Sequence, residues 1–325
     1  MLLPLEEAYW QTVQRRLGVL VVDLPAALRL PALNLLDNEF HRLLALWPRW
    51  LADLLPLPKP GLTHLTLAAL AGGWAASLDD AARDGELPGL FRSLRRALWR
   101  QAWRLFARLG LALPPLLTLS TQMTIACRHE LAARAVHGRW HARQLQTLTT
   151  RWVRARAAGW HAIQLAQMEL TGLAPTDCRR RDLARALDLI ILARQLRDDA
   201  VDLTADAQAG RATWLIALIA ATIWQTDGYP GTVDSARITG RWLLDENLRR
   251  QVAQLHATLC ARAAVALAPY QPRLPRLFDL IAAEQQAGQA AFASYQSLQF
   301  GLPIPPTGDA FGQIDTCVER SASVS

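Results

Sequence analysis

Lysine is almost missing from this chain: of 35 basic residues, only Lys59 is not an arginine. Lys59 lies between two prolines, so Schiff-base chemistry has one poor candidate. No Gly-x-x-x-x-Gly-Lys-Ser/Thr loop exists to cradle nucleotide phosphates. Cysteine is scarce as well. Cys127, Cys178, Cys260 and Cys317 are far apart and form no Cys-x-x-Cys pair, which points to reduced thiols and away from a disulfide framework. β-Branched residues are sparse and alternating apolar runs are missing, so sheets are not expected. No apolar run has the length needed to cross a bilayer; the most continuous, from Thr213 to Trp224, is far too short. The start, Met-Leu-Leu-Pro-Leu-Glu-Glu, lacks the basic opening and cleavage site of a secretory signal, so a cytoplasmic protein is expected. Nucleophile-elbow, HExxH and dinucleotide-binding signatures are absent.

Leu and Ala dominate, and apolar residues recur at spacings of three and four almost throughout. That pattern predicts an all-α protein. Helices are expected at about 5–22, 32–55, 63–84, 88–109, 115–136, 139–172, 177–209, 212–225, 236–268 and 275–299. The joints coincide with breakers such as Gly110, Pro114-Pro115, Gly228-Tyr-Pro-Gly231 and Pro272 to Pro275. Thr176 and Asp177 are N-cap residue types ahead of the seventh helix. One helical domain over 1–300, followed by a Pro- and Ser-rich tail over 301–325, is the expected organisation.

The seventh helix carries Gln195-Leu-Arg-Asp-Asp-Ala-Val-Asp-Leu-Thr-Ala-Asp-Ala-Gln-Ala-Gly-Arg211. At about 100° per residue, Asp198, Asp199, Asp202 and Asp206 fall on one arc. Two unit charges ~6 Å apart repel by about 0.7 kcal/mol in water and roughly 3 kcal/mol at an effective dielectric of 20. Such an arc is tolerable on a wet surface, or in a cavity where cations neutralise it. A second acidic run, Asp79-Asp80-Ala-Ala-Arg-Asp84, ends another apolar helix, with Asp80 and Asp84 one turn apart. Either run alone reads as a solvated face; two runs ending apolar helices point to metal within a bundle. Hard carboxylate oxygens without a Cys or His set favour Mg²⁺, which fills its remaining positions with water and substrate phosphate. Arginine complements this, because its planar fork recognises phosphate oxygens in pairs.

The run from Gln195 to Arg211 resembles the second aspartate-rich motif of class I isoprenoid synthases. It overlays without gaps on the squalene/phytoene synthase form: Gln195, Leu196, Asp202, Asp206, Gly210 and Arg211 match, and Asp198 replaces an Asn. Asp198-Asp199-x-x-Asp202 is equally similar to the trans-prenyltransferase DDxxD. Asp198, Asp202 and Asp206 keep the i, i+4, i+8 spacing of the terpene-cyclase Asn/Ser/Glu triad. Asp79-Asp80-x-x-x-Asp84 resembles the first aspartate-rich motif. The resemblance implies a single-domain α-helical bundle with a central cavity. It also implies three Mg²⁺ ions held by Asp79, Asp80, Asp84, Asp198, Asp199, Asp202 and Asp206, with the two motifs facing each other. The implied substrate is a prenyl diphosphate. Asp80, Asp84, Asp198 and Asp202 take the catalytic positions, and Arg211, with Arg151 and Arg154 on the preceding helix, takes the diphosphate-binding ones.

Elongating prenyltransferases bind a second diphosphate with an N-terminal Gly-Lys-Arg element, which has no counterpart here. The tyrosine-rich and Gly-rich signatures of squalene/phytoene synthases are also missing. A terpene synthase, which cyclises or rearranges the carbocation from one diphosphate, is therefore the first expectation; a prenyltransferase is the alternative. Trp74 and Trp214 flank the two runs, and an aromatic face attracts a cation by about 0.5–2 kcal/mol. Most of the twelve tryptophans are nonetheless expected as ordinary core anchors.

Arg92, Arg96, Arg100, Arg104 and Arg108 form an i+4 series beside Trp99 and Trp103. The plainest expectation is a wet helix face. If the series binds anything, peripheral contact with an anionic membrane fits better than nucleic acid, because prenyl compounds are lipids. A basic helical adaptor that binds membrane or nucleic acid is the non-enzyme alternative, and a homodimer is admitted. His137 and His141 would share a helical face, but no third zinc ligand stands at a suitable spacing. Asp37 and His41 are in the same position.

Overall fold

A computed structural model of the chain describes residues 4–21, 39–83, 91–228 and 231–293. Among them are thirteen α-helices, a short 3₁₀ segment and one two-stranded sheet, so the protein is mostly helical, as expected. No helix among the described residues is long and apolar enough to cross a membrane. Asp37, Asp84 and the 301–325 tail lie outside the described residues. The chain forms two compact units, each assembled from separate segments: residues 1–120, 159–181 and 270–276, and residues 121–158, 182–269 and 277–325.

The first unit contains α1 (Pro4–Val21), α2 (Glu39–Leu51), α3 (Lys59–Arg83) and α4 (Phe91–Arg108). It also includes the start of α5 (Leu113–Ala132) and nearly all of α8 (Ala158–Leu170). Helix α3 starts four residues before its expected position because Pro60 falls in the first turn, where a missing N–H leaves no bond unmade. α3 packs on both α2 and α4. Gly73 makes the first contact close: a Cβ there would overlap the Leu44 side chain. Leu44, Leu46, Trp47, Leu51, Leu65 and Leu70 form the fully buried centre. Pro48 sits inside α2, and Ala52 donates to Arg49 instead (3.1 Å). The Pro48 carbonyl is taken by the buried Gln167 amide at 2.9 Å, which also donates to Leu55 O at 3.0 Å. Glu6, buried on α1, accepts from Trp50 Nε1 (2.8 Å) and from both Nε and Nη2 of Arg276 (2.7 and 2.6 Å).

The helix expected over 139–172 does not form as one piece, and its first half, to residue 158, belongs to the second unit. In its place come β1 (Arg139–His141), α6 (Ala142–Leu145), α7 (Thr150–Arg156) and α8. Two successive left-handed residues, His137 (φ 51°) and Gly138 (φ 72°), turn the chain out of helix. β1 then pairs antiparallel with β2 (Thr232–Asp234), Trp140 opposite Val233. His137 and His141 therefore do not share a helical face: one is in the turn, the other at the end of a strand. A second break divides the helix expected over 236–268 into α11 (Ser235–Leu244) and α12 (Glu246–Leu267). Asp245 is the reason. Its Oδ1 accepts from Leu248 N at 2.9 Å to cap α12, while Arg249 Nη1 donates to the Trp242 and Leu243 carbonyls at 2.6 Å each, closing α11.

The longest helix, α9 (Cys178–Gln208), has its 182–208 portion in the second unit. Asp177 Oδ1 accepts from Arg179 N (2.8 Å) at its start, the N-cap contact expected of Asp177. α10 (Trp214–Asp227) follows and is apolar on almost every side, as a buried helix must be. α13 (Pro275–Ala293) completes the described chain. Trp140, Leu145, Leu192, Leu196, Leu215 and Trp242 are among the fully buried side chains of this unit.

Candidate functional site

The acidic run of α9 separates into two environments. Leu196, Ala200, Leu203 and Ala207 are buried and fix which side of the helix faces the core. Asp198 and Asp202, one turn apart, are exposed, and Asp206 is half-buried. Asp198 keeps 53% of its side chain open to solvent and accepts from Arg197 Nη2 at 3.0 Å. The surrounding protein raises its carboxyl above the usual range, against the opposing pull of Arg197 and Arg194. Asp202 has no hydrogen-bond or ion-pair partner among the described residues.

Asp199 differs from its neighbours. It is only 3% exposed, and both of its oxygens are engaged within the protein. Oδ1 accepts from Gln195 Nε2, one turn back, at 2.6 Å; Oδ2 accepts from the backbone N–H of Leu215 at 3.0 Å. Leu215 is in the first turn of α10, where Thr213 Oγ1 also accepts from Ile216 N at 3.3 Å. Asp199 thus supplies a second cap to a helix whose N-terminal donors would otherwise be buried unmet. Burial pushes its carboxyl up to about 7, opposed by the two hydrogen bonds and by Arg156, and reinforced by the nearby charge of Asp206.

The end of the run turns sharply. Gly210 has φ 68°, and its carbonyl accepts from Ala135 N at 2.9 Å, while a Cβ at Gly210 would meet Ala135 Cβ at 3.1 Å. Glycine is required there on both counts. The turn delivers Arg211, whose Nη1 lies 3.4 Å from Asp206 Oδ1. On α7, Arg151 is exposed. Arg154 Nε lies 3.5 Å from Asp188 Oδ2. Arg156 lies over the Trp152 ring and 3.4 Å from Glu130.

The first acidic run belongs to the first unit. Asp79 is drawn onto α4: Oδ2 accepts from Trp99 Nε1 at 2.9 Å and Oδ1 pairs with Arg95 at 3.0 Å. Asp80 is half-buried and has an interaction within the protein. His41 is buried with its Nε2 3.2 Å from Ser77 Oγ and its ring edge-on to Phe40 and Trp74, a core histidine. Trp74 and Trp214 are both buried.

A cluster that no local pattern announces involves the same helix, beside the acidic run. Glu284 of α13 is buried and faces Arg197 Nε at 3.2 Å, Arg194 Nη1 at 3.6 Å and His256 Nε2 at 3.3 Å. Gly288, one turn on from Glu284, leaves the room that the buried His256 ring occupies. Cys260 is buried nearby, and burial pushes its thiol up to about 12, so it is an inert packing residue.

Among the described residues, no three Asp, Glu, His or Cys side chains come together as a ready-made cation cage. Mg²⁺ does not require one, because it keeps several waters and is commonly held by one or two carboxylates. The hard, outward-facing oxygens of Asp198 and Asp202, with Asp206 a turn further on, fit that kind of site. No protein-family model matches the chain, and no curated protein matches it in sequence.

Proposed function

We propose that this protein is a cytoplasmic, Mg²⁺-dependent class I terpene synthase with the class I isoprenoid synthase fold, ionising one prenyl diphosphate and cyclising or rearranging the resulting carbocation. The observation that carries the reading is the division of the acidic run. Asp199 serves the fold, while Asp198 and Asp202 stand exposed at one-turn spacing on a rigid helix, two turns ahead of an arginine set by a glycine turn. Asp198 and Asp202, assisted by Asp206, would hold Mg²⁺. Mg²⁺ held there would supply Lewis-acid stabilisation of the charge that develops on the departing diphosphate.

The chain's own contribution is anion recognition. Arg211 offers its guanidinium to the diphosphate, held in place by Asp206. Arg151 is exposed and so is available for the same role, whereas Arg154 first has to leave Asp188.

The deciding experiment incubates the protein with geranyl through longer prenyl diphosphates and Mg²⁺, with and without isopentenyl diphosphate, and identifies extracted products by mass spectrometry. A cyclic or rearranged product of unchanged carbon count supports the reading. Products longer than the substrate assign the protein to prenyltransfer instead, and no Mg²⁺-dependent release of diphosphate from any substrate sinks both.

A further inference from the structure

The arginine series of α4 keeps its own identity in the structure. Helix α4 contains no acidic residue. Its buried side is Leu94, Leu98, Ala102, Leu105 and Phe106, and Arg95 is consumed by Asp79. Arg96, Arg100, Arg104 and Arg108 are all exposed, and none has a carboxylate partner among the described residues. They advance about 6 Å and 40° per step, a cationic strip about 18 Å long. The Arg92 side chain lies outside the described ones.

Exposed apolar groups lie near the strip in the chain: Trp103, Leu113 and Leu117. Trp99 is turned inward by its hydrogen bond to Asp79, but Trp103 is half-exposed and lies within about 20° of Arg96 on the wheel. Just beyond a short turn at Gly110, α5 opens with Leu113 and Leu117, 36% and 51% exposed. Arginine prefers phosphate oxygens, which it grips in pairs. A nucleic-acid backbone would meet the guanidinium groups but offer nothing to the leucines. An anionic bilayer takes both: guanidinium groups at the lipid phosphates, the indole and leucines at the headgroup–acyl boundary.

We infer that the Arg96–Arg108 face of α4, with Trp103, Leu113 and Leu117, is a docking surface for an anionic lipid bilayer. Because the apolar side of α4 is buried in its own unit, docking is peripheral: the helix lies on the headgroups and does not insert. Each arginine at such a surface contributes additively, and salt weakens the contact.

The test uses the full chain and vesicles of phosphatidylcholine with or without phosphatidylglycerol, read by co-sedimentation at low and high salt. Binding is expected only to the phosphatidylglycerol vesicles and to weaken at high salt. The triple variant Arg96→Gln/Arg100→Gln/Arg104→Gln should bind about a hundredfold more weakly. A control triple of equal net charge, Arg128→Gln/Arg143→Gln/Arg185→Gln, alters exposed arginines elsewhere and should bind like the parent. Leu113→Ser/Leu117→Ser should weaken binding at high salt, where the apolar contact remains. Unaltered far-UV circular dichroism confirms folding in each variant. Equal loss in the two triples would reduce the effect to net charge and overturn the proposal. So would failure to bind anionic vesicles, including the case in which a nucleic-acid duplex is held through the same three arginines. No readout involves prenyl diphosphate, so the surface stands or falls apart from the proposed activity.

Discussion

Asp199 Oδ2 accepts the backbone N–H of Leu215 at 3.0 Å, joining residues 16 apart in the chain and making one acid of the run a cap for the next helix. Replacing Asp199 by Ala removes that cap and the acceptor of Gln195, leaving buried donors unmet. Thermal or chemical unfolding should report a loss of about 2–4 kcal/mol.

The same residue gives stability a pH dependence of known sign. Its folded-state carboxyl is raised to about 7, so the native protein holds this proton more tightly than the unfolded chain. The contribution is fully present below the ordinary carboxylate range, falls as pH rises from about 4 to about 7, and is flat above. Asp199→Asn cannot titrate. The stability of the parent relative to this variant should therefore decline across that window, by up to roughly 4 kcal/mol. A difference independent of pH between 4 and 8 would mean that Asp199 is not the titrating group.

Asp198→Asn and Asp202→Asn should behave in the opposite way. Both side chains are exposed, so unfolding free energies should stay within about 0.5 kcal/mol of the parent. On the proposed activity, each variant should lose Mg²⁺-dependent diphosphate release by about a hundredfold or more. Activity lost without stability in these two variants, beside stability lost in Asp199→Ala, is the expected pattern. Full diphosphate release from both Asn variants would remove the second run from the chemistry.

Gly288→Ala tests the packing of the buried histidine. A helical Gly→Ala change ordinarily stabilises by up to about 1 kcal/mol, but this Cβ would overlap the His256 ring. Overpacking should win, for a net loss of about 1–3 kcal/mol by denaturant unfolding. The double variant Gly288→Ala/His256→Ala should recover part of it, since the ring that collides is gone.

Glu284→Ala removes the carboxylate that Arg194, Arg197 and His256 share, while Arg197 keeps its pairing with Asp198. Removing one member of a buried ionic cluster costs about 3–5 kcal/mol, and these arginines keep 16% of their side chains exposed, so a loss of about 3 kcal/mol is expected. Urea unfolding monitored by tryptophan fluorescence measures it.

Much of the helical frame was readable without coordinates. Continuous period-3.6 patterns bounded by Gly or Pro located α4, α9 and α10 to within three residues at each end. Where a boundary depended on distant partners, reading failed. The break at Arg139–His141 requires β2, more than ninety residues later, and nothing local distinguishes those residues from a helical stretch. The acid arc on α9 was legible because it is a property of one helix. Which of its members is sequestered was not, since that depends on where α10 begins. Asp79 is similar: its attachment to Arg95 and Trp99 is set by the packing of α3 on α4. Glu284, Arg194, Arg197 and His256 came from three helices and left no spacing to find.

The left-handed turn at Gly210 has a consequence for how such a signature diverges. Gln195, Leu196, Asp199 and Gly210 answer to folding: a carboxylate tether, a core side chain, a helix cap and a backbone that admits no Cβ. If the proposed activity holds, a descendant that lost it would still be obliged to keep them, while Asp198 and Asp202 would be free to mutate. The run would then contain its own internal clock, in which the scaffold letters measure ancestry and the two solvent-facing acids measure whether the proposed chemistry is kept.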